Sequence, residues 1–289
     1  MKFRFVEDHR GTWPVPVMCH VLRVSTAGYY AWRSRPESKR AVEDRALLEQ
    51  VRRVHEGSGG RYGSPRVHAA LRATGRRVGR GRVERLMRRH GVRGLIARPR
   101  RVRTTDSRHP FPVAPNLLDR KFTADAPNRV WLADLTFIPT GEGWLYLAAV
   151  MDLHTRKIVG WAMRDHLRAE LAVSALTMAV RRQRPGAGLV QHSDRGVQYA
   201  CGEYQRALNE AGITPSMSRR GNALDNAPME SFFHTLKTEP VHHRAYATRD
   251  QARRDLFAYV EGFYNRARLH SGLGYRTPAE AEQRAAKVA

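Results

Sequence analysis

The sequence has very few cysteines and no long apolar run. Only Cys19 and Cys201 occur, far apart in the chain. Two distant cysteines exclude a disulfide framework and a cysteine-rich zinc site, and they indicate a reducing compartment. No stretch of about 18 apolar residues occurs, so the sequence predicts no membrane span. The first residues, Met1–Phe5, do not begin an apolar stretch long enough for a signal peptide, so we expect a cytoplasmic protein.

Acidic residues are scarce relative to basic ones. The 289 residues contain 51 Lys and Arg but only 27 Asp and Glu, which gives a formal net charge of +24. Such a surplus indicates a polyanionic partner, because Lys and Arg gain affinity by displacing counterions from phosphates. An anionic membrane surface is the alternative partner, but no basic amphipathic helix with an aromatic-rich face stands out. We therefore expect a DNA-binding, nucleoid-associated protein that has no membrane partner.

The positive charge is concentrated in residues 45–105, which hold 18 arginines and three acidic residues. Apolar periodicity predicts three short helices here, the first capped by Asp44, the second starting at Ser64-Pro65, and the third running from about Gly81 to His90. Short helices with an arginine-rich last helix resemble a helix-turn-helix unit, although a helical bundle with a solvated charged face is the alternative interpretation. The candidate DNA contacts of the last helix are Arg80, Arg82, Arg85 and Arg88.

Composition divides the chain into five segments. An N-terminal helical segment precedes the basic helix-turn-helix-like domain, and a basic, proline-rich linker follows it, because prolines at this density oppose both helix and sheet. A core segment and a C-terminal helical extension complete the chain. The predicted boundaries are 1–44, 45–97, 98–125, 126–241 and 242–289. The linker arginines that we expect to contact DNA are Arg100, Arg101 and Arg103.

Beyond the linker, the pattern changes to alternating strands and helices. Val130–Ile138, Trp144–Met151 and Lys157–Met163 predict three strands in a meander. A helix near Arg168–Arg182 follows. The remaining predicted elements are a strand over Gly188–His192, a helix over Glu203–Ala211, a strand over Ile213–Met217 and helices over Asn226–Thr238 and Asp250–Tyr264. This order predicts an α/β fold with a mixed five-stranded sheet and helices on its faces.

Three acidic residues that are far apart in sequence occupy positions that suit one site. Asp134 interrupts a buried strand, where a carboxylate is costly unless it is paired or bound to a metal. Asp194 follows another strand, at the edge where open α/β sheets place their ligand crevices. Glu230 and Lys237 share one stripe of the Asn226–Thr238 helix, beside its apolar face. Carboxylates suit Mg²⁺ or Mn²⁺, so the pattern predicts a divalent-metal site that acts on phosphodiesters.

Taken singly, each of these residues has a plainer explanation. Asp134 can be a strand-end residue or a cap, and Asp194 can be a turn former in His192–Gly196. Glu230 and Lys237 can be ordinary surface charges. The joint pattern, with 35 residues between Asp194 and Glu230 and a lysine seven residues further on, favours the site.

Other polar residues have weaker interpretations. Asp152 is the main competitor for a catalytic carboxylate, and we interpret it as a hairpin-turn residue that pairs with Arg156. His192 can approach the site from beside Asp194. Thr277–Glu280 has the pattern of a helix capping box. Four residues near the end of the chain are either DNA contacts or packing residues, namely Tyr264, Asn265, Arg268 and His270.

The spacing of Asp134, Asp194 and Glu230 resembles the D-D-E signature of retroviral integrases and insertion-sequence transposases. Matching motifs extend over nearly the whole chain, at Val24–Trp32, Tyr62–Val67, Trp131–Thr136, Asp152–Trp161, His192–Tyr199, Gly221–Phe233 and Tyr264–Pro278. With these motifs, the chain is similar to the second-frame product (OrfB) of the insertion sequence three family of bacterial transposases.

This resemblance implies an RNase H-like fold and a DNA transposase that cleaves element ends and transfers their 3′-OH ends into DNA. It also implies two Mg²⁺ ions, with Mn²⁺ as the alternative, held by Asp134, Asp194 and Glu230 in a two-metal mechanism, with Lys237 on DNA. The implied partners are element-end and target DNA, further copies of the chain in a synaptic complex, and a first-frame product (OrfA), separate or fused. A non-catalytic DNA-binding repressor of transposition and a hydrolysis-only nuclease are the alternatives.

Overall fold

The computed structural model describes residues 1–96 and 110–287, which form two small helical units followed by an α/β core. The predicted DNA contacts Arg100, Arg101 and Arg103 lie outside the described residues. The first helical unit contains α1 (Lys2–His9), α2 (Val15–Val21) and α3 (Thr26–Ser34), and the second contains α4 (Lys39–Gly57), α5 (Ser64–Ala73) and α6 (Arg80–Arg89). Each unit has its own apolar core.

The three helices predicted in the basic region are present, but the first begins earlier than expected. Ser38 caps α4 by accepting a hydrogen bond from the Ala41 backbone N–H at 3.2 Å. The prediction that Asp44 caps this helix is therefore wrong. Asp44 lies inside the helix because no helix-breaking residue separates it from Ser38. Its carboxylate instead pairs with Arg82 of α6 at 2.7 Å, which ties the first helix of the unit to the last.

The core contains the mixed five-stranded sheet that the sequence predicts. Its strands are β1 (Val130–Thr140), β2 (Gly143–Asp152), β3 (Ile158–Arg164), β4 (Val190–Ser193) and β5 (Thr214–Met217), in the spatial order β3-β2-β1-β4-β5. The first three strands form an antiparallel meander, and β4 and β5 run parallel to β1. This topology confirms the predicted RNase H-like α/β fold.

Helices cover both faces of the sheet. On one face lie α7 (Ala169–Gln183), α8 (Val197–Ala200) and α9 (Gly202–Glu210), and on the other lie α10 (Ala227–Leu236) and α11 (Arg249–Phe257). The backbone of α7 comes so close to β3 that a Cβ on Gly160 would stand 2.2 Å from the Ala175 carbonyl oxygen. Only glycine therefore fits at this position of the strand.

Two predicted C-terminal helices change to wider π-type turns before they end. The helix predicted over Asn226–Thr238 is α-helical only to Leu236, and a π-helical segment, Lys237–Val241, follows it. Pro240 lies inside that segment, where its missing N–H opposes regular α-helical bonding. A second π-helical segment, Ala258–Tyr264, continues α11. The last helix, α12 (Pro278–Ala286), has the predicted capping box, with Thr277 and Glu280 bonding reciprocally.

The second helical unit docks on the C-terminal extension of the core. The Tyr62 hydroxyl donates to the Ala267 carbonyl and accepts from the Leu269 N–H, both at 2.9 Å. The Arg66 guanidinium donates to the Leu269 carbonyl at 2.9 Å, and the Arg61 guanidinium lies 4.4 Å from the centre of the Phe263 ring. These contacts join residues about 200 positions apart, so the basic unit is held against the core by specific polar bonds.

Cys19 and Cys201 are both free thiols. Within residues 1–96 and 110–287, no helix is long and apolar enough to cross a membrane.

Candidate active site

The register of the two central parallel strands brings Asp134 beside Asp194. Leu132 of β1 pairs with His192 of β4, and each aspartate follows its strand partner by two residues. Residues at matching positions of neighbouring strands are about 4.8 Å apart and point to the same face, so the two carboxylates are neighbours at one end of the sheet. Both side chains are half-buried. Asp134 accepts a hydrogen bond from the Leu135 N–H at 2.8 Å, and Asp194 accepts one from the Gly196 N–H at 2.9 Å.

Helix α10 carries Glu230 to the same end of the sheet. Its buried face consists of the residues that the sequence predicts, Met229, Phe232, Phe233 and Leu236. The Asn226 side chain, just before the helix, donates to the Ala133 carbonyl at 3.1 Å and so attaches the helix start to the strand residue that precedes Asp134. Glu230 is exposed in the first turn, where the positive end of the helix dipole favours a carboxylate.

The charges of this cluster act on one another. Burial raises the pKa of Asp134 well above its usual value, and the negative charges of Asp194 and Glu230 raise it further. The Lys237 ammonium works in the opposite direction on the pKa of Asp134. Burial lowers the pKa of Lys237, and the charge of Asp134 raises it. The structure therefore brings the four predicted site residues into one electrostatic cluster in which like charges predominate.

The three carboxylates lie at one end of the sheet without forming a compact group of metal ligands. Among residues 1–96 and 110–287, no three His, Cys, Asp or Glu side chains form a ready-made metal-binding group. The pKa of Glu230 is raised as well, because the neighbouring protein partly desolvates its carboxylate even though the residue is largely exposed. Raised carboxylate pKa values are typical of sites where an added cation would relieve repulsion between acids.

Asp225 supports the site, although its role could not be assigned from the sequence. Its fully buried carboxylate accepts hydrogen bonds from the Arg219 backbone and guanidinium at 2.8–2.9 Å, from Arg120 at 2.9 Å and from Asn116 at 3.2 Å. The Arg219 hydrogen bonds hold the pKa of Asp225 far below its usual value. Asp225 therefore anchors the loop that leads into α10. In the sequence, only the Asp225-Asn226 pair before the helix points to this supporting role, because the partner Arg120 is over 100 residues away.

A second buried ion pair supports the segment that carries Lys237. The Arg268 guanidinium meets the Glu239 carboxylate at 2.9 Å and 3.0 Å, and the Tyr259 hydroxyl donates to the same carboxylate at 2.7 Å. Tyr264, Asn265 and Arg268 are buried, so these tail residues pack within the fold. Glu239 lies two residues beyond Lys237 in the π-helical segment, so this pair fixes the backbone next to the lysine.

Two of the weaker sequence interpretations change with the structure. The prediction that His192 approaches the site is wrong, because its ring bonds to Ser216 at 2.9 Å and Ser218 at 3.1 Å on the side of β5, and burial lowers its pKa to about 4. Asp152 is a turn residue, as predicted, since it accepts from the Thr155 N–H at 2.8 Å. The predicted pairing with Arg156 is replaced by a hydrogen bond from that arginine to the Phe122 carbonyl.

The four candidate arginines of α6 have different surroundings. Arg82 forms ion pairs with Asp44 at 2.7 Å and Glu43 at 3.1 Å, and Arg88 pairs with Glu84 at 2.8 Å. Arg80 and Arg85 are exposed, and neither forms an ion pair within the described residues, although the charge of Arg85 helps to lower the pKa of Asp44. Arg80 and Arg85 are therefore the members of this group whose positive charge remains open to solvent.

Family comparisons agree with this architecture. Residues 124–223 and 211–278 match two family models that are both described as integrase core domain, and residues 42–100 match one described as HTH-like domain. Among solved structures, a chain of the simian T-cell lymphotropic virus intasome in complex with a PP2A regulatory subunit is 16% identical, with a TM-score of 0.47, covering 80% of this chain and 73% of that one. The HTLV-2 integrase catalytic core in complex with magnesium is also 16% identical, with a TM-score of 0.41, over 55% of this chain and 98% of that one.

Curated relatives match over almost their whole length. The chain is 46% identical to an uncharacterized 31 kDa protein of insertion element IS600 from Shigella sonnei, over 91% of this chain and 96% of that protein. It is 38% identical to transposase InsF for insertion sequence IS3A from Escherichia coli strain K12, over 98% of this chain and 99% of that protein. The chain therefore belongs to the family of integrase-core transposases that includes InsF of insertion sequence IS3.

Proposed function

We propose that this transposase cleaves the ends of an insertion element and transfers their 3′-OH ends into DNA at the cluster of Asp134, Asp194 and Glu230. The observation that carries the proposal is the pairing of β1 with β4, which places two carboxylates side by side at the end of the sheet where α10 presents the third. The mutual effects of these charges on the pKa of Asp134 support the same grouping.

The donor set fits a hard divalent cation. The three carboxylates offer only oxygen ligands, and their repulsion is relieved when a cation binds. Mg²⁺ fits such a set of ligands because it keeps several waters and recruits substrate phosphate oxygens, and Mn²⁺ is the alternative. Asp134, Asp194 and Glu230 would hold two such ions, which when bound activate the attacking oxygen and stabilise the leaving oxygen of the displacement.

The remaining proposed residues hold the DNA. Lys237 is half-buried beside Asp134, so its ammonium can bond a backbone phosphate that enters the acidic cluster. Arg80 and Arg85 offer open charges on α6, whereas Arg82 and Arg88 must leave their acidic partners before they bind phosphate. The linker residues Arg100, Arg101 and Arg103 complete the proposed contacts.

We propose that the chain acts on DNA as a homo-oligomer in a synaptic complex, on the nucleoid, where its substrate lies. Two element ends have to be held together for joined transfer, and one chain offers one cluster of Asp134, Asp194 and Glu230. A first-frame (OrfA) product, separate or fused, is the further proposed partner, since the sequence of this chain contains no heptad run for a coiled coil.

A strand-transfer assay tests the proposal. The full chain is incubated with labelled duplexes that carry the ends of the DNA element encoding it, a target plasmid and Mg²⁺. We expect cut ends and joined products, and Glu230→Gln should reduce both by at least about a hundredfold. The matched control is Glu210→Gln, an identical change at the exposed end of α9, which should retain wild-type activity.

The products separate the alternatives. Cleaved ends that are never joined would identify a nuclease that only hydrolyses. Binding without cleavage, with Mg²⁺ or Mn²⁺ and with or without the first-frame product, would identify a DNA-binding repressor and overturn the proposal. Full activity of Glu230→Gln would show that the acidic cluster is assigned to the wrong residue.

A further inference from the structure

The first helical unit has the architecture of a second, separate helix-turn-helix. Its three helices enclose a private core formed by Val6 of α1, Met18 and Cys19 of α2, and Tyr29 of α3. These side chains are at most 6% exposed, which is unusual for a unit of only 34 residues. In the described part of the chain, this apolar cluster includes no residue beyond Trp32. The unit therefore folds around its own centre.

The connection between α2 and α3 is a tight turn with well-defined geometry. Four residues, from Leu22 to Ser25, separate the two helices. Arg23 has φ of 53°, and the Val24 N–H donates to the Cys19 carbonyl at 3.0 Å, which is the left-handed closing turn of a helix end. Ser25 then caps α3 by accepting from the Gly28 N–H at 2.8 Å. Two helices joined by a turn of three or four residues are the defining feature of helix-turn-helix units.

Gly28, at the start of α3, lies close to both the Ser25 cap and the Phe3 ring of α1. A Cβ on Gly28 would stand 2.7 Å from the Ser25 Oγ and 3.3 Å from the Phe3 ring. The Tyr29 hydroxyl reaches back to the Glu7 carboxylate at 2.5 Å. These contacts fix which face of α3 points inward. Its opposite face, with Ala27, Tyr30 and Ala31, is exposed.

In this unit, positive charge lies at both ends of the exposed face of α3. Residues 1–35 contain six Lys and Arg and two acidic residues. Both acids lie on α1, where Glu7 pairs with Arg10 at 3.2 Å and Asp8 pairs with Arg4 at 3.9 Å. Arg23 precedes α3 and Arg35 follows it, and in the described residues neither has an acidic partner. A neutral helix face between two open arginines complements a DNA groove between its phosphate strands.

We infer that residues 1–34 form a DNA-binding helix-turn-helix whose α3 enters the major groove of double-stranded DNA. This site lies outside the region 42–100 that matches the HTH-like family, so the chain carries two DNA-reading units. Tyr30 and the two alanines of the exposed face meet base edges, and Arg23 and Arg35 bond the flanking phosphates. The inference does not require catalysis at the acidic cluster.

A protein partner is the competing occupant of this unit. Val17 and Val21 of α2 are 55% and 72% exposed, and they form an apolar stripe that suits a partner helix. That stripe lies on α2, whereas the open arginines lie at the two ends of α3. The observed charges therefore favour DNA on α3, and a test that modifies the two helices separately distinguishes the occupants.

The test uses the full chain without divalent metal, so strand transfer plays no part in it. Duplexes are selected from a random-sequence pool with the wild-type protein, and hydroxyl-radical footprints are recorded on the selected duplexes. The variant A27E/A31E places two carboxylates on the exposed face of α3. We expect it to lose one protected segment and about tenfold in affinity, while the protection due to the second unit persists.

The matched control is V17E/V21E, which places the same two charges on exposed positions of α2. We expect a smaller loss of affinity and an unchanged footprint. Arg35→Gln should lower the slope of log affinity against log salt by about one, without changing the selected sequence. Tyr30→Ala, which adds no charge, should weaken the sequence preference, and thermal unfolding checks that each variant is folded.

Two results would overturn the inference. An unchanged footprint and affinity in A27E/A31E would mean that α3 does not touch DNA. An equal or larger loss in V17E/V21E would mean that the effect is general charge repulsion, or that α2 is the functional surface. Failure of strand transfer in the wild-type chain would leave the footprints intact, so the two proposals fail separately.

Discussion

Asp134 and Asp225 lie close to the start of the same helix but have opposite environments. Asp225 is surrounded by two guanidiniums and a backbone N–H, and its pKa is far below the usual value. Asp134 faces Asp194 and Glu230, and its pKa is well above the usual value. In a chain with 51 Lys and Arg, the guanidiniums of Arg120 and Arg219 are bonded to the supporting carboxylate of Asp225. The charge of Asp225 stabilises the fold and is neutralised by arginines within the fold. The charge of Asp134 is left for a bound cation to neutralise.

The largest expected effect comes from removing the charge of Asp134, which the neighbouring acids repel. Asp134→Asn should reduce strand transfer by at least about a hundredfold, because it removes a proposed metal ligand. It should also leave the metal-free protein as stable as the wild type, or more stable. A carboxylate whose pKa is raised on folding destabilises the folded state when ionised, so a neutral amide relieves that cost. Activity is measured with Mg²⁺, and thermal unfolding without it. Clear destabilisation by Asp134→Asn would contradict the repulsion that defines the comparison.

His192 is a second buried group near the site, and its surroundings favour the neutral form of its ring. Burial lowers its pKa to about 4 from 6.5, so the unfolded chain takes up a proton at a higher pH than the folded one. Its contribution to stability is therefore complete above about pH 6.5, is lost as pH falls through the window to 4, and amounts to about 3 kcal/mol. Urea unfolding midpoints between pH 7 and pH 4 measure this loss.

A variant isolates the share of His192. His192→Asn should be less stable at pH 7 but lose less stability on acidification, with the remaining slope supplied by groups such as His270, whose pKa burial lowers to about 3. His243→Asn, at an exposed position, is the matched control and should keep the wild-type slope. Parallel slopes in wild type and His192→Asn would show that His192 is protonated in the folded protein.

Removing the supporting charge of Asp225 should have the opposite effect on stability from Asp134→Asn. Asp225→Asn leaves the Arg219 and Arg120 guanidiniums without their carboxylate and should destabilise the core by about 2 kcal/mol. Those arginines are 47% and 45% exposed, so water compensates part of the loss. Strand transfer should fall as well, because the loop before α10 loses its anchor. Urea unfolding and amide exchange across residues 219–226 measure both effects.

The control for Asp225→Asn is the same substitution in an exposed ion pair. Asp250 pairs with Arg253 at 2.6 Å but is 77% exposed. Asp250→Asn should change stability by less than about 0.5 kcal/mol, since exposed pairs contribute little. Equal effects of the two substitutions would mean that burial does not distinguish the supporting carboxylate from a surface one.

The strands and the three acids were predictable because each depends on local pattern. An acid in an apolar run marks Asp134, and an acid directly after a strand marks Asp194, while parallel pairing of β1 and β4 makes them neighbours. The hydrogen bonds around Asp225 were not predictable, since its partner Arg120 is more than 100 residues away and is one of 51 Lys and Arg residues that the sequence does not distinguish by position. The orientation of the His192 ring depends on its hydrogen bond to Ser216 of β5, and the apolar periodicity of the sequence does not predict such a contact.

The sequence also does not distinguish arginines that are open to solvent from arginines that form ion pairs. On α6, periodicity places Arg82 and Arg85 on the polar face, and both were predicted to contact DNA. In the structure only Arg82 of these two forms ion pairs, because α4 begins at Lys39 and presents Glu43 and Asp44 to Arg82. An arginine with acidic neighbours from another helix cannot be told from an open one until the two helices are packed.

The smallest expected effect concerns Arg85 and Arg82, which differ as the two aspartates do. Arg85 is open to a binding partner, whereas Arg82 is paired within the fold. Arg85→Gln should lower the slope of log DNA affinity against log salt by about one, because an open guanidinium that binds phosphate releases about one counterion. Arg82→Gln should lower that slope by less than Arg85→Gln does and should also lower the thermal stability of the α4–α6 unit, since the charge of Arg82 is already matched by Asp44 in the free protein. Filter binding across a salt series measures both slopes. Equal decreases would mean that Arg82 exchanges its acids for DNA, in which case binding would separate α6 from α4 and the ion pair would act as a switch between the free and the DNA-bound unit.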